Sequence, residues 1–473
     1  MAQVVNSGGV MYRDALDHHP PGSVYLYAFV EKLVGVHTSS YLGISVVHAA
    51  GLLMAVLTAY GLYLIAREIL WVELWILPAA LYGIVTTTKC AYDGLAVNGE
   101  LQMNLPLVFA IYFLIRAGKS QGLHRFSLDT LAGILVAIAG LSKWQALAAG
   151  LAFPFFHSVT DRAGFFSRTF RRGPAWILGL VMPIAATAFY FRTQGVLNEF
   201  LGWGGLFNFR YIAEGPGNGW ALMRLGLQLL SVVLPSLVFY AAGFLGLWQI
   251  ARRKNSITTH AFGIWVWTVV SILSIAIGGR YFGHYFLQAE LPLCLLAAEP
   301  IYNWFQRSPR LISALMGVPL IFFLSLSLFP GATHKVFDPA LPDWELVGTG
   351  LAQKTDARES LLVWGNIPPL YYFSSRKMGT RFVYCNYLTG LSPGTPSEYD
   401  PKIRPAFVSQ AWPLLFSDLE ERRPALILDT APPGWKGYAK FPIAQFPEFH
   451  AYLDSHYREV GTIQGAVLYR RYR

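Results

Sequence analysis

The sequence predicts a polytopic α-helical membrane protein of about ten transmembrane helices, followed by a C-terminal soluble α/β domain. Three observations predict it. Of 473 residues, 54% are apolar and only 14% charged, with a mean hydropathy of +0.40; an ordinary soluble domain carries about 25% charge. The charge is also uneven, with 21 Lys/Arg and 13 Asp/Glu in 1–330 but 16 and 14 in the much shorter 331–473. Finally, apolar runs of bilayer length recur through the first 330 positions. Disorder, a coiled coil and a wholly soluble enzyme are excluded.

The chain divides into a first loop with interfacial helices (1–41), a membrane domain (42–330) and a soluble domain (331–473). Spans are expected at about 42–64, 71–88, 101–116, 129–142, 145–158, 174–192, 222–250, 261–277, 285–303 and 311–329, the long 222–250 run turning near Arg224. The loops between them sort by charge. Arg67, Arg116, Lys119, Arg125, Arg162, Arg168, Arg171, Arg172, Arg252, Arg253, Lys254, Arg307 and Arg310 fall on one side. Lys89, Lys143, Arg192, Arg210 and Arg280 fall on the other. The positive-inside rule makes the first set cytoplasmic and puts residues 1–41 and 331–473 outside. The net charge of +10 is thereby explained by orientation in the bilayer, without nucleic acid. Three scattered cysteines offer neither a disulfide framework nor a zinc spacing. The absence of an Asn-x-Ser/Thr sequon favours a bacterial plasma membrane over a secretory lumen.

In the first loop, YRDALDHHPPG places Asp14 and Asp17 three apart, so one helical turn would put both on one face. His18, His19 and a rigid Pro-Pro follow, then the amphipathic SVYLYAFVEKLVG, expected to lie along the membrane surface. Solvated loop acids would be the plain account; carboxylates at headgroup height would suit a general base for an incoming hydroxyl. A second loop offers Asp93 and Glu100, the latter at a helix start where the dipole alone explains a carboxylate. Lys143, followed by Gln145, either snorkels or lines a cavity. The third cluster, GGRYFGHYFLQAELP, brings Arg280, Tyr281, His284 and Tyr285, with Gln288 and Glu290 within the span. An aromatic belt is the plain reading; a guanidinium there also suits a lipid phosphate. In the tail, 360–365, 381–384, 425–429 and 466–470 read as strands, with PPLYYFSSR and RPAFVSQAWPLLFSDLEERR as helices between them.

Together, GGVMYRDALDHHPPGSVYLYAFVEKLVG, AVNGELQMNLPLVFAIYFL, LSKWQALAAG and GRYFGHYFLQAELPLCLLAA resemble, in order, the conserved segments of bacterial GT-C membrane glycosyltransferases. The resemblance is to the group of protein mannosyltransferases and aminoarabinose transferases, and the tail resembles a C-terminal domain found in part of it. It implies a GT-C-like fold and inverting transfer of a hexose or pentose from a polyprenyl-phosphate donor to an acceptor hydroxyl on a lipid, glycan or protein. The site would lie on the periplasmic face of the inner membrane and require no cofactor. A divalent cation at Asp14 and Asp17 is possible but unsupported by two acids alone.

The resemblance casts Asp17 and Asp14 as catalytic carboxylates. It casts His18, His19, Asp93, Glu100, Lys143, Gln145, Arg280, Tyr281, His284 and Tyr285 as substrate contacts. Two departures stand out. Family members carry an earlier span followed by an Asp-Glu pair, so Met1 is expected to be internal to a longer chain. His19 also stands where the family has Lys before Pro-Pro. The competing classes are a transporter or flippase for a lipid-linked or small polar solute, and an inactive truncated paralogue. A transporter would favour internal repeats and midplane charges; here the acids cluster in outer loops.

Overall fold

A computed structural model describes residues 1–35, 41–89, 96–156, 162–213, 218–252, 259–328, 341–390 and 406–472. Each of the ten expected spans corresponds to a helical segment. Among the described residues, six helices are long and apolar enough to cross a membrane, and three shorter apolar helices accompany them. The segment Trp144–Phe156 is wound as a 3-10 helix with Pro154 inside it. Within 218–252 the irregularity falls later than expected. It is a π turn, Leu229–Val233, leading into a 3-10 turn, Leu234–Ser236. Pro235 explains it, because a proline inside a helix removes a donor and crowds the preceding turn.

Small residues set the closest helix contact. A Cβ on Gly179 would come within 1.9 Å of the Thr130 carbonyl, and one on Gly133 within 2.2 Å of the Trp176 carbonyl. Helices Gly122–Ser142 and Arg162–Thr193 therefore pack backbone to backbone, the usual route to tight association in lipid. Their contact also buries Asp129 against Arg172, 2.5 Å apart. The charged groups separate by end. Glu68 pairs with Arg116 at 3.2 Å and Lys119 at 2.5 Å at one end of the bundle. Lys143 and Arg280 stand at the other, beside the first loop.

The C-terminal domain is a five-stranded sheet in the order β2-β1-β3-β5-β4, made of β1 (Ser360–Trp364), β2 (Lys377–Met378), β3 (Leu426–Asp429), β4 (Tyr457–Ile463) and β5 (Ala466–Arg471). β1 pairs in parallel with β2 and β3, and β5 runs antiparallel to β3 and β4. Residues 381–384, expected as a strand, are not one. Arg381 is tied to the helix Ala406–Arg422, its amide donating to Asp418 Oδ2 at 2.7 Å and its guanidinium pairing with the same carboxylate. Its carbonyl accepts from the Leu16 amide at 2.7 Å, and Phe382 bridges Leu16. This segment seats the domain on the first loop instead of extending the sheet.

Candidate functional site

Residues 10–19 form a tight turn, not the helical turn that the three-residue spacing suggested. Tyr12 has φ 73°, with its amide donating to the Ala15 carbonyl and the Asp14 amide to Val10. The two acids consequently diverge. Asp14 accepts from the Val10 amide at 2.7 Å and pairs with Arg13 at 2.9 Å. Burial pushes its carboxyl up, but Arg13 and the Val10 amide outweigh that and hold it below its ordinary value.

Asp17 points inward and is only 5% exposed. Its Oδ1 accepts from the His18 amide at 2.7 Å, Tyr384 Oη at 2.8 Å, His19 Nδ1 at 3.0 Å and Tyr387 Oη at 3.3 Å; His19 Nδ1 also lies 3.1 Å from Oδ2. Burial pushes the carboxyl up, yet the charge of His19 and the hydrogen bonds from both histidines hold it well below the carboxylate range. Burial, and then the Asp17 charge, push Tyr384 well above its ordinary value, so it stays a donor. His18 Nδ1 meets Tyr387 Oη at 2.9 Å, and burial with the neighbouring His19 charge pushes His18 down to about 4. Asn208 donates to the His18 carbonyl at 2.8 Å and Tyr12 Oη to the His19 carbonyl at 2.9 Å, which locks the turn.

A cavity of about 80 Å³ opens beside this turn. His18, His19, Lys143, Gln145, Arg280 and Tyr285 line it, so three separate connections converge there as the sequence suggested. Lys143 pairs with Glu100 at 3.0 Å and lies over the Tyr285 ring at 5.1 Å. Arg280 is 1% exposed. Its guanidinium sits 3.5 Å above the Tyr211 ring, and Nη1 donates to the Tyr211 carbonyl at 2.8 Å. Glu100 therefore acts behind Lys143, beyond the plain helix-start role. Tyr281 and His284 pack beside the cavity: Tyr281 against the membrane core, His284 stacked on Phe282 at 5.4 Å. Asp93 lies outside the described residues. Asp14 is turned away.

Sequence reasoning missed Tyr211, Asn208, Trp144, Tyr384 and Tyr387. Of these, only the tyrosines in FVYCNYL carried any signal, their spacing of three. A larger cavity of about 430 Å³ lies between the helix Gly22–Val34, the start of the first span and the C-terminal domain, and no expected site residue lines it. Asp17, His18 and His19 also place one metal-capable atom each within 4.8 Å of one another. Nδ1 of His19 is directed at Asp17 and Nδ1 of His18 at Tyr387, so in this arrangement the trio is held together by hydrogen bonds.

Solved structures with this architecture include an oligosaccharyltransferase and ArnT. ArnT from Cupriavidus metallidurans bound to undecaprenyl phosphate superposes with a TM-score of 0.63 at 12% identity, covering 99% of this chain and 91% of that one. The archaeal oligosaccharyltransferase AglB from Archaeoglobus fulgidus, in complex with an inhibitory peptide and a dolichol-phosphate, gives 0.54 at 12%, covering 100% and 69%. The fold is GT-C. No family model and no curated protein matches the chain by sequence. At such identity the likeness is one of GT-C fold.

Proposed function

We propose that this protein is a membrane glycosyltransferase that moves a sugar from a polyprenyl-phosphate donor to an acceptor hydroxyl, with inversion, on the periplasmic face of a bacterial inner membrane. One observation carries the reading: the Asp17–His19 pair, Lys143 and Arg280, from three separate connections, meet around one cavity at the domain-bearing end of the bundle. Buried and oriented, the two cations suit a phosphate that gains negative charge as the anomeric bond breaks. The polyprenyl tail would lie among the spans, and the carboxylate-bearing turn would face the acceptor. That ArnT binds undecaprenyl phosphate and AglB dolichol-phosphate on the same fold supports a lipid-phosphate donor. The reading uses no cofactor. A lipid, a glycan or a protein could supply the hydroxyl.

The test is release of labelled sugar from polyprenyl-phosphate donors in membranes, run beside solute uptake into liposomes. Arg280→Ala and Asp17→Asn should each lower transfer at least tenfold. Near-normal transfer in both variants, or uptake without transfer, would overturn the assignment.

A further inference from the structure

We infer that His19, held by Asp17, is the group that takes the proton from the acceptor hydroxyl, and that Asp17 is a positioning residue. This rests on the glycosyl-transfer reading and goes beyond it, because the reading alone would give the proton to a carboxylate. Among the described residues, the geometry of the carboxylates near the cavity argues against that. Asp17 Oδ1 already accepts four hydrogen bonds, two of them from hydroxyls of the C-terminal domain, and the carboxylate is buried. Glu100 is 1% exposed and bound to Lys143. Asp14 faces Arg13 and the Val10 amide.

His19 is placed differently. Its side chain is 44% exposed, it lines the cavity, and Nδ1 is directed at Asp17. A ring anchored through Nδ1 turns Nε2 the other way, and a neighbouring carboxylate fixes that tautomer while stabilising the imidazolium once it forms. His18, stacked on it with ring centroids 4.2 Å apart, is buried and bound to Tyr387. Among the described residues, the other charged or titratable groups around the turn include Lys143 and Arg280 across the cavity and the hydroxyls of Tyr12, Tyr211, Tyr285 and Tyr384. The two cations suit the phosphate, which leaves the His19 ring as the group that faces the acceptor.

In the step, the acceptor oxygen attacks the anomeric carbon from the side opposite the phosphate. The bond from that carbon to the phosphate oxygen breaks, and its electron pair stays on the departing polyprenyl phosphate. The hydroxyl proton passes to His19 Nε2, giving an imidazolium balanced by Asp17, and then leaves to water.

The experiment compares His19→Ala and His19→Gln with Arg280→Ala, measuring kcat and the donor KM separately. Both His19 variants should lose about 100-fold in kcat with the donor KM within about threefold, whereas Arg280→Ala should raise the donor KM. Added imidazoles should restore turnover in His19→Ala in proportion to their basicity and to the neutral fraction present. Asp17→Asn combined with His19→Ala should be no slower than His19→Ala alone. Retention of more than a third of wild-type kcat, a loss confined to the donor KM, rescue that follows the protonated imidazole, or multiplying losses in the double variant would each overturn the inference. In those cases a normal response of Arg280→Ala leaves the glycosyltransferase reading standing; if Arg280→Ala is also silent, that reading falls instead.

Discussion

Tyr384 lies 367 residues from Asp17 in sequence, yet its hydroxyl donates to that carboxylate at 2.8 Å. Removing only the oxygen leaves a stacked ring beside Tyr387, so the packing survives while Asp17 loses one of four donors. Tyr384→Phe is expected to lower kcat about ten- to 100-fold, the size of one hydrogen bond to a charged group, without moving the donor KM; steady-state kinetics checks it. The sequence exposed part of this site and hid part. Asp17, His19, Lys143 and Arg280 were legible because each stands in a short polar island among apolar spans, where an ionisable residue is costly and calls for a reason. Tyr384, Tyr387 and Tyr211 were not, since a chain holding 25 tyrosines gives each of them a plain packing role until tertiary structure brings it to the loop. The pairing of Asp14 with Asp17 failed for a local reason. Helical spacing means nothing where the backbone turns at a positive φ, as Tyr12 does.

Among elements, the helix Leu287–Arg307 carries the site's weight, since Tyr285 stands at its head and Arg280 just before it. In the first turn of that helix Glu290 is fully buried, bound by Lys89 and by Tyr240 Oη at 2.7 Å, which pins the helix to its neighbours. A buried pair punishes the loss of one partner more than the loss of both. Lys89→Met should therefore destabilise the bundle by about 3–5 kcal/mol, and Lys89→Met with Glu290→Leu should recover most of that, read by denaturation in detergent as a double-mutant cycle. The spans were readable because their signal is composition over twenty residues, which local packing cannot reverse. Residues 381–384 were misread because an alternating tetrapeptide states only that its sides differ. Whether it joins a sheet depends on a free edge, and here Leu16 and Asp418 claimed its backbone first. β4 was overlooked since its pattern is almost wholly exposed.

Across the whole molecule, a domain with an ordinary water-facing core sits on a bundle whose outer helices expose apolar side chains to lipid. The two parts respond differently to pH. Asp429, at the end of β3, has its carboxyl pushed up to about 6 by burial, against the Ala431 amide that donates to it at 2.9 Å. An unfolded aspartate titrates near about 3.9, so the folded domain holds this proton more tightly. The resulting stability is complete below about pH 4 and is lost as pH rises through about 6. Asp429→Asn keeps the acceptor without the charge. It should raise the melting temperature by a few degrees at pH 8 and leave it unchanged at pH 4, as thermal unfolding at the two pH values would show.

Tyr384 and Tyr387 also belong to the portion of the chain that the ribosome makes after the helices of the described bundle. A nascent polypeptide with its helices already threaded through the bilayer still lacks two of the four donors that hold Asp17 Oδ1. On the proposed glycosyl-transfer reading, sugar donors are spared during synthesis and switching on comes late in biogenesis.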